Sequence, residues 1–196
     1  MPHHAARRIE VTASRTGVAH GQLRAATSAI HRDLDSHFDL AGLTTPAGYI
    51  RFLKTNWPVV AVESALTQAG IASLLPDWEL RRRGEALIAD LMVLGVPLPE
   101  VGGCSLESNI GTLLGWSYVT EGSKLGARYI LRGLRPSLPL ELSAATRFLS
   151  HEEDRDSWST FKFALAGIDD NPIEILRACR GARAAFGAFL SKSHAR

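Results

Sequence analysis

The chain has 196 residues, 45% hydrophobic and 21% charged, which suits one globular domain with a core large enough to need no staples. A formal net charge of +2 excludes a strong electrostatic case for nucleic acid. No uncharged apolar run is long enough for a bilayer, the N-terminal stretch lacks the charged start and apolar core of a secretory signal, and Cys104 and Cys179 form neither a CxxC nor a disulfide framework, so a soluble cytoplasmic protein without a membrane partner is expected.

Residues 1–20 are polar, basic and aperiodic and read as a flexible tail, leaving 21–192 as a single helical domain. His3 and His4 read as part of that tail rather than as a metal site. From Gly21 onward, Leu23, Thr27, Ile30, Leu34 and Phe38 recur at three- and four-residue steps, a single apolar helix face. Pro46, after Thr44 and Thr45, opens a second helix that Pro58 kinks or breaks and Gly70 stops. Trp78 to Leu94 reads as a third helix, with Arg81, Arg82 and Arg83 on a solvated face. Gly95 to Gly103 is a connector rich in Gly and Pro. Leu106 to Leu134 reads as one long helix, Ala144 to Leu165 as another, and Ile173 to Lys192 as the last. β-branched alternation is nearly absent, so the fold class is all-α.

The long helix carries Gly111, Gly115, Gly122 and Gly126, at spacings of four, seven and four. At helical pitch they fall within an arc of about 60° on one face, with Tyr118 and Tyr129 at its edge. Each interior glycine costs about 1 kcal/mol relative to alanine, so four on one face call for a compensating gain. Close packing against another helix is one gain. Close approach of the backbone to a flat ligand is the other. Spacing leaves both open and slightly favours packing. No strand precedes these glycines and no GK[ST] follows, so a nucleotide loop is excluded.

His31 lies at one edge of the first helix's apolar face. Asp35 follows by one turn and Arg24 precedes by two. A neutral imidazole that donates its outer N–H to a carboxylate is fixed in tautomer and made more basic as an iron ligand. An arginine two turns back suits an anionic group at the pocket edge. A half-buried, hydrogen-bonded core histidine remains the competing reading. His37 lacks a carboxylate one turn on, His20 precedes the expected helix, and His151 opens a charged run that reads as a solvated face. No ExxH, HExxH, paired Cys/His zinc spacing or GxSxG is present.

Together, Leu23-Arg-Ala-Ala-Thr27-x-x-x-His31 and Tyr118-Val-Thr-Glu-Gly122-Ser-Lys-Leu-Gly126 resemble heme oxygenase, most closely the bacterial branch that includes enzymes paired with bacteriophytochromes. The C-terminal stretch with Trp158, Phe161, Phe163, Phe186 and Phe189 is also similar. The resemblance implies a helical bundle that holds heme between a proximal helix and a glycine-rich distal helix. It implies His31 as the iron ligand, Asp35 as the carboxylate that orients it, and Arg24 and Tyr118 near the heme propionates. Thr27, Phe186 and Phe189 join the implied heme contacts. Gly122, Ser123 and Gly126 match the distal catalytic segment. Ser123 stands where the mammalian branch has a water-ordering aspartate, and Ala127 where many relatives have a further glycine.

The implied activity is opening of heme with O2 and reducing equivalents to biliverdin, iron and carbon monoxide. Heme is then substrate and cofactor at once. An external donor such as a ferredoxin or flavodoxin supplies electrons, and a bacteriophytochrome is the implied acceptor of biliverdin. Two alternatives stand beside this: a non-catalytic heme carrier or sensor on the same fold, and an all-helical interaction protein that binds no heme.

Overall fold

The computed structural model describes residues 17–36, 39–151 and 157–193, and leaves aside the side chains of 34–36 and 191–193. Among the described residues all regular structure is helical, in the all-α class the sequence indicates. Helix α1 (Val18–Ser36) starts three residues ahead of its expected start, because Asp169 Oδ1 accepts the Ala19 N–H at 2.8 Å and supplies a partner for the first turn. His20 is therefore inside the helix rather than before it. Helix α2 (Pro46–Thr55) is capped by Thr45, whose hydroxyl accepts the Gly48 N–H at 3.1 Å. The chain breaks at Asn56 and Trp57, and Pro58 opens α3 (Pro58–Gln68), where its missing N–H costs nothing. Gly70, at φ 86°, closes it.

The expected third helix is two. Helix α4 (Trp78–Arg81) ends where the two oxygens of Glu63 accept the Arg83 and Gly84 N–H groups, each at 2.9 Å. That carboxylate draws the backbone out of one helix and caps the next, α5 (Gly84–Val93). Asn109 caps α6 (Ile110–Leu134) by accepting the Thr112 N–H at 2.8 Å. A short helix, α7 (Leu140–Ser143), precedes the helix expected over 144–165, and that span itself holds two, α8 (Arg147–Ser150) and α9 (Ser157–Ala166). Asp90, buried in α5, accepts the Arg147 and Phe148 N–H groups at 3.1 and 2.8 Å and so starts α8 from across the fold. Helix α10 (Pro172–Ser193) follows the Asp-Asp-Asn-Pro punctuation.

Two apolar cores share α6. Leu113, Leu114, Trp116, Tyr118 and Val119 pack with α1, α3, α9 and α10. Ala127, Leu131 and Leu134 pack with α2, α5 and α8. The glycine stripe divides in the same way. A methyl group at Gly111 would collide with the Glu174 carbonyl, and one at Gly115 with the Ala178 carbonyl, both on α10. A methyl at Gly122 would meet only Trp158, at 3.9 Å, and one at Gly126 would meet nothing within 4 Å. Helix packing accounts for the first pair, and open space stands over the second.

The two pairs should respond oppositely to a single methyl group. Gly115→Ala forces α6 and α10 apart and should cost about 1–3 kcal/mol in a urea melt. Gly126→Ala should instead stabilise by up to about 1 kcal/mol, the helix propensity of alanine over glycine. Equal effects at the two sites would contradict this division of the stripe.

Candidate functional site

Where α6 passes from one core to the other, a cavity of about 480 Å³ opens, within the range of roughly 300–1,000 Å³ typical of small-molecule and cofactor sites. Tyr118, Val119, Gly122, Ser123, Gly126 and Ala127 line it from α6. His31 lines it from α1, Phe186 from α10, Trp158 from α9 and Phe148 from α8. Most of this wall is aromatic, aliphatic or bare backbone, which suits a flat apolar ligand. The His31 ring stands edge-on to Phe186, with centroids 5.0 Å apart and planes at 76°. Among the described residues no group of three or more His, Cys, Asp or Glu could hold a metal ion. A metal held by His31 would therefore have to arrive with most of its ligands already in place.

The cavity brings together six of the ten residues singled out from the sequence: His31, Tyr118, Gly122, Ser123, Gly126 and Phe186. Arg24 is exposed on α1, two turns before His31, and stands outside the lining. Thr27 is fully buried, and its hydroxyl donates to the Leu23 carbonyl at 2.8 Å. Phe189 packs between the two cores rather than on the cavity. The Asp35 side chain lies outside the described residues.

The arginine run departs from its expected solvated face. Arg81 and Arg83 are 1% and 2% exposed, and only Arg82 keeps a surface position, paired with Glu79 at 2.8 Å. The physical reason is the partner set. Arg81 Nε meets Asp77 at 2.6 Å, Nη1 meets Glu121 Oε2 and the Ser157 carbonyl, each at 3.0 Å, and Nη2 donates to Thr160 at 2.6 Å. The other Glu121 oxygen takes Lys124 Nζ at 2.8 Å. Glu121 of α6 thus joins two buried cations, Arg81 of α4 and Lys124 of α6. Arg83 lines the cavity itself. Its guanidinium lies 4.2 Å from the Phe148 ring centroid and donates to Ser123 Oγ.

Ser123 in turn donates to the Thr120 carbonyl at 2.7 Å. Its one proton is thereby committed to the helix, and toward the cavity it acts as an acceptor. Behind this wall, burial pushes the Glu63 carboxyl above its usual range, against the pull of the Arg83 and Gly84 N–H groups and of the Arg83 and Lys124 charges. Burial likewise raises Asp90, against the two N–H groups it accepts and the charge of Arg147. Tyr49, raised by burial and then by Asp90, donates its hydroxyl to the Ala145 carbonyl at 2.7 Å.

Arg83, Phe148, Phe52, Asn56 and Ile130 are the lining residues that sequence reasoning missed. A usable signal existed for the first. Arg81-Arg-Arg-Gly84 sits within reach of Asp77 one turn earlier, and the glycine directly after three arginines marks a helix break rather than a continuous solvated face. The charge network also yields a test. Replacing Glu121 by Leu strands Arg81 and Lys124 in the interior, and the loss should be about 3–5 kcal/mol in denaturant unfolding. A loss below 1 kcal/mol, the range of exposed pairs, would mean that the network is not buried in solution.

Comparison with known proteins adds four likenesses. A profile of the heme oxygenase family matches residues 19–194. Heme oxygenase PigA of Pseudomonas aeruginosa is 34% identical over 132 residues, which span 65% of this chain and 66% of that protein. A heme oxygenase of Xanthomonas campestris pv. campestris is 36% identical over 142 residues, 72% of this chain and 86% of that one. In fold, the chain is similar to the NO- and CO-bound heme oxygenase of Neisseria meningitidis, with a TM-score of 0.67 at 23% identity over 89% of each chain.

Proposed function

This chain belongs to the heme oxygenase family and degrades heme to biliverdin, and we propose that it does so in the cavity at the seam of the two cores, with His31 as the axial ligand of the heme iron. One observation carries this placement. A single nitrogen donor on α1 and two glycines with open space before them on α6 line the same cavity. A macrocycle that already gives iron four nitrogens needs one basic side chain on one face and unobstructed backbone on the other. Heme, when bound, supplies the iron that binds O2 and passes electrons to it. The chain supplies position and field.

Phe186 limits the tilt of the His31 imidazole by standing edge-on against it. Asp35, one turn further along α1, is assigned to accept the outer N–H of His31, which fixes the tautomer that leaves the other nitrogen for iron. Gly122 and Gly126 would leave open, on the α6 side of the heme, space that larger side chains would fill. Arg83 brings a guanidinium to the α6 side of the cavity, where apolar walls would strengthen its pull on any negative charge that arises there. Ser123, already donating to Thr120, helps by holding Arg83 in place. Arg24 and Tyr118 are assigned to the heme carboxylates.

The finer assignments rest on the family likeness: a cytoplasmic enzyme, electrons from an external ferredoxin or flavodoxin, and a bacteriophytochrome as acceptor of biliverdin. Among the described residues, no helix is long and apolar enough to cross a membrane. The likenesses do not favour a heme carrier without activity or a heme-free interaction protein.

Hemin titration of the purified chain should give a saturable Soret band, and reductant in air should convert it to a biliverdin spectrum. A stable band would reduce the activity to heme binding, and no band would remove the site. Loss of an outer partner of a metal ligand already costs roughly 10–100-fold in affinity or activity. His31→Ala should therefore exceed that loss and shift the Soret band. Wild-type ligation and turnover in this variant would overturn the assignment of His31.

A further inference from the structure

Tyr49 and Asp90 stand outside the cavity lining, yet both hold a lining residue in place. That residue is Phe148, on a helix of four residues. The Ser150 N–H closes one turn of α8 on the Thr146 carbonyl at 2.9 Å, and a single turn does not hold itself in water. Its position is set from outside. Tyr49 of α2 donates its hydroxyl to the carbonyl of Ala145, just ahead of α8, at 2.7 Å. Asp90 of α5 accepts the Arg147 and Phe148 N–H groups at 3.1 and 2.8 Å. The stretch from Ala145 to Phe148 is thus tied at three backbone atoms, by a donor from one helix and an acceptor from another. Tyr49, Asp90 and Ala145 are fully buried, so water cannot replace a bond that is lost. Burial, and then the charge of Asp90, raise the pKa of the Tyr49 phenol, which keeps it a donor.

These anchors reach the cavity through a run of rings. The Tyr49 ring stacks on Phe52, with centroids 6.2 Å apart and planes at 29°. Phe52 meets Phe148 at 6.5 Å, and the Arg83 guanidinium lies 4.2 Å from the Phe148 centroid. Phe52, Phe148 and Arg83 all line the cavity and form one wall of it. A flat ligand in an apolar slot is held by non-directional contacts. Such contacts resist tilting but leave the ligand free to turn or slide in its own plane. A rigid wall at its edge removes that freedom.

We propose that Tyr49 and Asp90 are positioning residues for heme degradation: acting through Phe148, they set the wall that stops the heme ring from turning in its plane. The inference rests on the placement of heme in this cavity. Both residues touch protein only, so their effect on the substrate passes through the wall. A wall that gives way leaves the slot able to bind the ring but lets the ring settle in more than one orientation. Binding is then retained while chemistry suffers, because a misplacement of about 1 Å costs on the order of 10²-fold in rate.

Tyr49→Phe is the main test, since it keeps the ring on Phe52 and removes one hydroxyl. It should lower kcat by about 10–100-fold and leave KM within about twofold of the wild type. The Soret circular dichroism of bound hemin reports the same change without turnover. An achiral ring gains that signal by sitting at a fixed angle to the chain's aromatic side chains, so Tyr49→Phe should weaken it while the far-ultraviolet spectrum stays unchanged. Asp90→Asn keeps one acceptor oxygen and should act in the same direction. Phe148→Leu removes the ring through which both act. In that background Tyr49→Phe should change neither kcat nor the Soret signal further, and losses that multiply instead overturn the inference. Wild-type kcat and Soret signal in Tyr49→Phe, with only a lowered urea midpoint, also overturn it and leave the two residues as part of the fold alone. Tyr49→Phe and Phe148→Leu decide the matter even where Asp90→Asn fails to fold. Both overturning results leave the placement of heme standing, whereas failure of the wild type to bind hemin overturns the two together.

Discussion

The backbone of α6 lies directly against that of α10, and the rest of the architecture is arranged around this approach. Gly111 and Gly115 admit α10 from one side, and Gly181 of α10 reciprocates: a methyl group there would stand 2.9 Å from the Thr112 carbonyl and 3.2 Å from Trp116. Glu174 adds a hydrogen bond from the Gly111 N–H at 2.6 Å. Contact this close fixes the register of the two helices, because a shift of one residue would place a side chain where no side chain fits. With the register fixed, Phe186 of α10 is brought against His31. The glycine stripe of α6 continues past α10 into the space that becomes the cavity.

A second constraint acts on the remaining side of α6. Arg81, Glu121 and Lys124 are buried there, and buried charges persist only where each is paired and hydrogen-bonded. Glu121 satisfies that condition for both cations, while Asp77, Ser157 and Thr160 complete the donors of Arg81. Glu63 and Asp90 work through backbone instead. The first starts α5 and aims Arg83 forward. The second starts α8 and places Phe148 beneath the same guanidinium. Two carboxylates far apart in the sequence, Glu63 and Asp90, therefore define the Arg83–Phe148 wall of the cavity.

The legibility of the fold follows from the range of the interactions that build each part. Helix starts at Pro46 and Pro58, the stop at Gly70 and the long span to Leu134 depend on local chemistry, and the sequence displays them. The breaks at Arg82 and just ahead of Arg147 depend on carboxylates that are distant in sequence, and no periodicity records them. His31, Tyr118, Gly122, Ser123, Gly126 and Phe186, which line one cavity, could be picked out from the sequence because they sit in short patterns on regular helices. Arg83 and Phe148 were missed because their positions are set by Glu63 and Asp90 from across the fold. Thr27 was singled out on the right helix, but its hydroxyl closes on its own backbone one turn back.

The glycines of α6 distinguish packing from function on energetic grounds. Each interior glycine costs about 1 kcal/mol of helix propensity. At Gly111 and Gly115 the contact with α10 offsets that cost within the protein. At Gly126 nothing among the described residues offsets it, since none of their atoms lies within 4 Å of the position a methyl would take. Nor does this stretch of helix reject side chains in general. Ala127, the next residue, is 4% exposed, belongs to the second core and also lines the cavity wall. A local rule broken without compensation in the folded chain points outside the chain for its compensation. At Gly126 the compensation proposed here is the flat substrate, whose close approach to the backbone is possible only where Cβ is missing.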